Sequence, residues 1–209
     1  MSTRWTLFTA FLLVGSSASA GPITYDVTVD TSSILSTAGS LDFNFNPGPL
    51  VSQAASLQIL GFSSDGTLAG SPAFTGDVSG ALPATLTFDN GTGFNDYFDG
   101  FTFGSTLSLQ VSLYGPALSS PDGTSTSGST FAFSMFSDAA GTVPALTSDT
   151  MNGFAFTADV NLDGTTTVAN FSSQTSVAPE TGAVPEPDGI LLLGTAIAFG
   201  TIRQLGRRR

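Results

Sequence analysis

Ile23, Tyr25, Val27 and Val29 alternate with Thr24, Asp26, Thr28 and Asp30. An apolar group at every second position is what a strand with one face in a core and the other in water requires. The same period returns along the chain in Leu41, Phe43 and Phe45; in Leu82, Ala84, Leu86 and Phe88; and in Leu107, Leu109, Val111 and Leu113. It returns again in Phe131, Phe133 and Met135, and in Phe154, Phe156, Ala158, Val160 and Leu162. Phe101 with Phe103, and a segment near 168–171, add two more strands. Only 49–62 is ambiguous: Leu50, Val51, Ala54 and Leu57 fit helical spacing while Leu57-Gln58-Ile59 fits a strand, so a short helix or helical turn entering a strand is expected.

Turn residues fall between these runs. Asp65-Gly66, Asn90-Gly91, Asp122-Gly123 and Asp163-Gly164 supply pairs that tolerate positive φ. Eight to ten strands separated by such turns predict an all-β fold, an antiparallel β-sandwich or jelly roll with phenylalanines filling the space between two sheets. The three Asp-Gly-Thr tripeptides at 65, 122 and 163 have different flanks and read as recurring turns, not repeats.

The charge pattern narrows function. Charged residues make up 10% of the 209 positions, against about 25% in soluble proteins generally. There is no His, Cys or Lys, and the five arginines are Arg4, Arg203, Arg207, Arg208 and Arg209. A Ser-His-Asp triad, a Cys nucleophile, a His or thiolate zinc site, a Walker loop and a Schiff-base lysine are all excluded. Between residues 21 and 184 thirteen Asp and Glu180 face no cation at all. That surface repels phosphate backbones, so nucleic acid is not a partner; cations, neutral sugars and basic proteins remain.

Both ends read as targeting segments. Arg4, the apolar run 5–14 and the small residues leading to Ala18-Ser19-Ala20 follow the order of a secretory signal peptide, with cleavage after Ala20. At the other end stand Val184-Pro185-Glu186-Pro187, an uncharged run 189–202 and a basic tail. As a helix that run is about 21 Å long at 1.5 Å per residue, short of the roughly 30 Å hydrocarbon core. Extension to about 189–205 with Arg203 snorkelling brings it closer, and Arg207, Arg208 and Arg209 hold its C-terminus on the cytoplasmic side.

This combination resembles the PEP-CTERM sorting signal of exopolysaccharide-producing Gram-negative bacteria, over about 25 residues. Val184, Pro185, Glu186 and Pro187 match the sorting motif, and Arg203, Arg207, Arg208 and Arg209 the basic stop; Asp188-Gly189 stands where such signals often carry Ser or Ala. The resemblance implies a membrane-anchored intermediate at the inner membrane. It also implies an exosortase as partner, which reads the motif and removes the tail, and a final place at the cell surface or in the extracellular matrix, associated with exopolysaccharide. It says nothing of the ectodomain fold. The expected organisation is a signal peptide at 1–20, a sandwich at 21–171, a linker at 172–184 and the sorting signal at 185–209.

No cofactor is expected, and calcium is the one metal with candidate ligands. Asp89, Asn95, Asp96 and Asp99 gather hard oxygens in one stretch, and Asp159, Asn161 and Asp163 open like an EF-hand loop whose twelfth position is Asn170 instead of Glu. The simpler reading of the first set is a turn whose Asp and Asn residues cap it while Phe94, Tyr97 and Phe98 pin it to the core. For the second it is a strand running into an Asp-Gly hairpin. Asn90-Gly91-Thr92 and Asn170-Phe171-Ser172 match the N-glycosylation pattern. Asp-Thr-Gly and Asp-Ser-Gly signatures are absent and the two glutamates lie near the tail, so no enzyme is expected. The reading is an exported, non-enzymatic surface or matrix protein. The alternative is a calcium-assisted carbohydrate-binding module at the cell envelope, which from sequence rests on analogy of fold.

Overall fold

The computed structural model describes residues 21–180. The chain divides into two compact units with the break between Pro179 and Glu180, and the first holds the whole fold described here. The sorting motif, the basic stop, the signal-cleavage residues Ala18 and Ala20 and the apolar run 189–205 lie outside the described residues.

Thirteen strands are formed among the described residues. The first seven are β1 (Ile23–Asp30), β2 (Ala38–Pro47), β3 (Ser56–Ser64), β4 (Thr67–Leu68), β5 (Ala73–Thr75), β6 (Val78–Gly80) and β7 (Leu86–Asp89). They are followed by β8 (Asp96–Thr102), β9 (Thr106–Tyr114), β10 (Ser129–Phe136), β11 (Phe154–Val160), β12 (Thr166–Asn170) and β13 (Thr175–Pro179). One helical turn, α1 (Pro116–Ser119), follows β9. All strand pairings are antiparallel. One sheet runs β13-β1-β9-β3-β7-β6 and the other β12-β11-β10-β2-β8-β4, with β5 also pairing β8. The fold is a β-sandwich.

The two inner faces differ in chemistry. The first sheet offers mainly branched aliphatics, among them Val27, Val29, Leu57, Ile59, Val111 and Leu113, and the second mainly aromatics, among them Phe43, Phe45, Tyr97, Phe131, Phe133 and Phe156; all are buried in one continuous cluster. Phe43 centres the aromatic half, with ring centroids 4.8 Å from Phe133, 6.1 Å from Tyr97 and 6.5 Å from Phe131. Each such ring removed from water contributes about 1.5–3 kcal/mol, and edge-on or tilted pairs about 0.5–1.5 kcal/mol more.

Two glycines are dictated by space. A Cβ at Gly39 would lie 2.0 Å from the Phe136 carbonyl oxygen, so β2 approaches β10 there only without a side chain. Gly164, at φ +81°, closes the β11–β12 turn, where Asn161 and Thr165 are joined by a backbone bond of 2.9 Å.

Three expectations are corrected. The segment 49–55 forms no helix: Leu50 and Val51 are exposed, and Ser52 makes a single parallel bridge to Ser127 before β3 begins. Leu82 is buried but precedes β7, in a turn containing the Leu82-Pro83 peptide. Part of the stretch 172–184 read as linker is strand β13, which pairs with β1 from Tyr25 opposite Pro179 to Val29 opposite Thr175.

Candidate functional site

With no Lys or Arg between 21 and 180, carboxylates in this domain have only N–H and O–H donors to satisfy them, and the turns supply these. Asp65 accepts from the amides of Ser105 (2.8 Å) and Thr106 (3.0 Å) and from the Ser105 hydroxyl (2.6 Å). The Ser105 hydroxyl, followed by the amides of Ser105 and Thr106, holds Asp65 down at about 2. Asp122 is lowered chiefly by the amides of Ser125 and Thr124, Asp138 by the Thr142 hydroxyl and the Val143 amide, and Asp163 by the Thr165 hydroxyl and amide. These groups stabilise loops and leave little free oxygen.

The Asp89–Asp99 stretch has a structural task. It is the corner that carries the chain from one sheet to the other, and it is bolted at both ends by amide side chains. Asn90 accepts from the Ala55 amide (3.0 Å) and donates to the Gln53 carbonyl and the Ser129 hydroxyl (2.8 Å each). Asn95, fully buried, accepts from the Asp77 amide (2.8 Å) and the Thr92 hydroxyl and donates to the carbonyls of Phe45 (2.9 Å) and Thr92 (3.0 Å).

The calcium candidates therefore separate. Asp89 ends β7 in the aliphatic sheet and accepts from the Ser56 hydroxyl. Asp96 lies on the outer face of β8, while Asp99 is turned inward, 1% exposed, opposite Leu41. Asp99 meets the Tyr97 hydroxyl at 3.4 Å with one oxygen and, among the described residues, has no partner for the other; burial above all pushes Tyr97 up to about 12. Phe94, expected to pin the corner to the core, is 53% exposed. Asp159, Asn161 and Asp163 sit along the end of β11 and its hairpin, bonded to Thr130 (2.6 Å), Thr165 (3.0 Å) with Thr167 (2.9 Å), and Thr165 (2.6 Å) respectively. Among the described residues no three or more carboxylates converge as a metal would require. Both sequon asparagines use their amide nitrogens internally, Asn170 on the Thr175 carbonyl at 2.7 Å.

What the sequence did not single out is the outer face of the aromatic sheet. There β2 turns Asp42, Asn44 and Asn46 outward, in register with Phe98 and Asp96 of β8 on one side and with Ser134, Ala132 and Thr130 of β10 on the other. Phe94 and Asn152, from loops, and Phe154 of β11 close the ends of a groove of about 430 Å³. Asp42 is half-buried in its floor. Burial first, and then the hydrogen-bonded carboxyl of Asp96, pushes Asp42 up to about 8, which favours its protonated form at neutral pH. The Asn44 amide nitrogen donates to Asp42 at 2.7 Å. The Asn44 carbonyl oxygen and the hydroxyl of Ser134, directly opposite Asp42, are buried with no hydrogen-bond partner among the described residues.

Two carboxyls in hydrogen-bond contact are closer than the about 5 Å that acid and nucleophile keep in glycoside hydrolysis. The arrangement offers instead a row of donors and acceptors beside an exposed ring.

No protein-family model matches the chain, and neither curated proteins nor solved structures give a significant match.

Proposed function

We propose that the chain is an exported, non-enzymatic surface or extracellular-matrix protein of the PEP-CTERM type, associated with exopolysaccharide. Its signal peptide is removed after Ala20, a transmembrane helix at about 189–205 holds it transiently, and an exosortase trims it at the motif Val184-Pro185-Glu186-Pro187. The observation that carries this reading is the ordered tail: motif, uncharged run and arginine cluster in succession, on a chain that begins with a secretory pattern.

The limits of the fold support it. β1 begins at Ile23, three positions after Ala20, and β13 ends at Pro179, before the motif. Both cuts therefore spare every strand. β1 and β13 are paired neighbours, so the two processed ends leave the sandwich from one edge of one sheet.

Replacing Pro185, Glu186 and Pro187 together by Ala tests the reading in the native cell. The expected result is retention of a longer chain in the inner-membrane fraction, with loss from the surface and medium. Unchanged release and unchanged mass would overturn it.

A further inference from the structure

We infer that the groove on the outer face of the aromatic sheet binds a neutral saccharide directly, without a metal ion. Three observations on this face converge.

The first is charge. No cation lies in the domain to receive an anionic ligand, and a phosphorylated, sulfated or uronate-rich chain would meet the acidic Asp96 and Asp159 across this face. A neutral ligand is not repelled.

The second is unmet bonding capacity. The Asn44 carbonyl oxygen and the Ser134 hydroxyl, like Asp99 Oδ1 and Thr175 Oγ1 elsewhere, are withdrawn from solvent and unpaired among the described residues. A buried acceptor without a donor costs about 1–3 kcal/mol, and a small turn of the Asn44 amide toward the groove it lines would let a hydroxyl-bearing ligand supply that donor. Asp42 and Asp96, joined by one proton, present acceptor oxygens beside it. Adjacent acceptors and amide donors are what vicinal sugar hydroxyls need, each hydroxyl being both donor and acceptor.

The third is the ring. Phe94 stands 53% exposed at the groove end, and Phe98 and Phe154 are half-buried along it. Apolar faces bordering a few placed polar groups are the composition of a ligand site, and the C–H face of a pyranose packs on such a ring.

The inference rests on the exported-surface reading only for its biological setting: binding by the isolated domain and tail removal in the cell fail separately.

Fragment 21–180, which contains the whole core, is titrated calorimetrically with cellohexaose, laminarihexaose, mannohexaose and xylohexaose, each in EDTA and in calcium chloride, with polygalacturonate as the anionic probe. The expected result is saturable binding of at least one neutral hexaose with Kd of about 1 mM or tighter, equal in EDTA and in calcium. Phe94→Ala, whose ring is already half in water, should weaken it about tenfold with unchanged melting, and Asn44→Ala at least as much. Absence of binding to all four neutral hexaoses, binding only with calcium present, equal binding of polygalacturonate, or insensitivity to Phe94→Ala each overturns the inference.

Discussion

The carboxyls of Asp42 on β2 and Asp96 on β8 meet in a hydrogen bond across the outer face of the aromatic sheet, one diagonal step apart in the ladder that pairs Asn44 with Asp96. Two acids on neighbouring strands of a domain without cations have only a proton to bring them together.

That proton makes stability depend on pH in an unusual direction. The folded value for Asp42, about 8, lies above its ordinary 3.8, so between those limits the native state holds a proton that the unfolded chain has released. The contribution is complete below about pH 4 and is lost as pH rises through about 8. The domain has no His, Cys or Lys, so apart from an α-amino group little else titrates there. Urea unfolding should show a midpoint lower by about 1 M at pH 9 than at pH 5, and Asp42→Asn should flatten that difference. An equal slope in the variant would place the titration elsewhere.

The turn carboxylates act at the opposite end of the scale. Asp65 is held at about 2, chiefly by the Ser105 hydroxyl, so its contribution is present above about pH 4 and disappears as pH falls through about 2. Asp65→Asn should lower the melting temperature at pH 7 and make the loss of stability between pH 4 and pH 2 shallower. Thermal melts across that range decide it, an unchanged acid limb being the contrary result.

Asn95 bolts the corner between the sheets with bonds to Asp77, Thr92 and Phe45. Its removal strands buried backbone groups, each costing about 1–3 kcal/mol. Asn95→Ala should destabilise by about 3 kcal/mol in equilibrium unfolding, and a loss within about 0.5 kcal/mol, the scale of ordinary surface changes, would mean the corner is held by something else.

Phe43 and Phe94 make a matched pair of truncations. Phe43 is fully buried among Tyr97, Phe131 and Phe133, and Phe43→Ala should cost about 3–5 kcal/mol. Phe94→Ala should stay within about 0.5 kcal/mol of the parent. Comparable losses at the two positions would contradict the assignment of one ring to the core and the other to the groove.

The long strands were legible because burial in a sandwich is periodic: Val27 and Val29, or Phe131 and Phe133, are the positions that alternation marks and the core receives. The short strands were not, since β4 to β6 owe their existence to pairing with β7 and β8 and carry little alternation of their own. At 175–179 Thr, Ser and Ala resemble linker, yet the open edge of β1 recruits them. The segment 49–55 shows the opposite error, helical spacing with no helix. The candidate groove was hidden for a related reason. Asp42, Asp96 and Thr130 lie far apart in the chain, and only strand order brings β2 between β8 and β10. The Asp89–Asp99 cluster was visible, but alternation along β8 sends Asp96 outward and Asp99 inward, which parts the two carboxylates.

The measurement that bears most directly on the central claim is the intact mass of the native protein recovered from the outer surface or culture medium of its own cells. The account predicts a chain that begins at Gly21 and ends near Pro185-Glu186-Pro187, with the arginine tail gone. A chain that still carries Arg209 and is found only with membranes would contradict it.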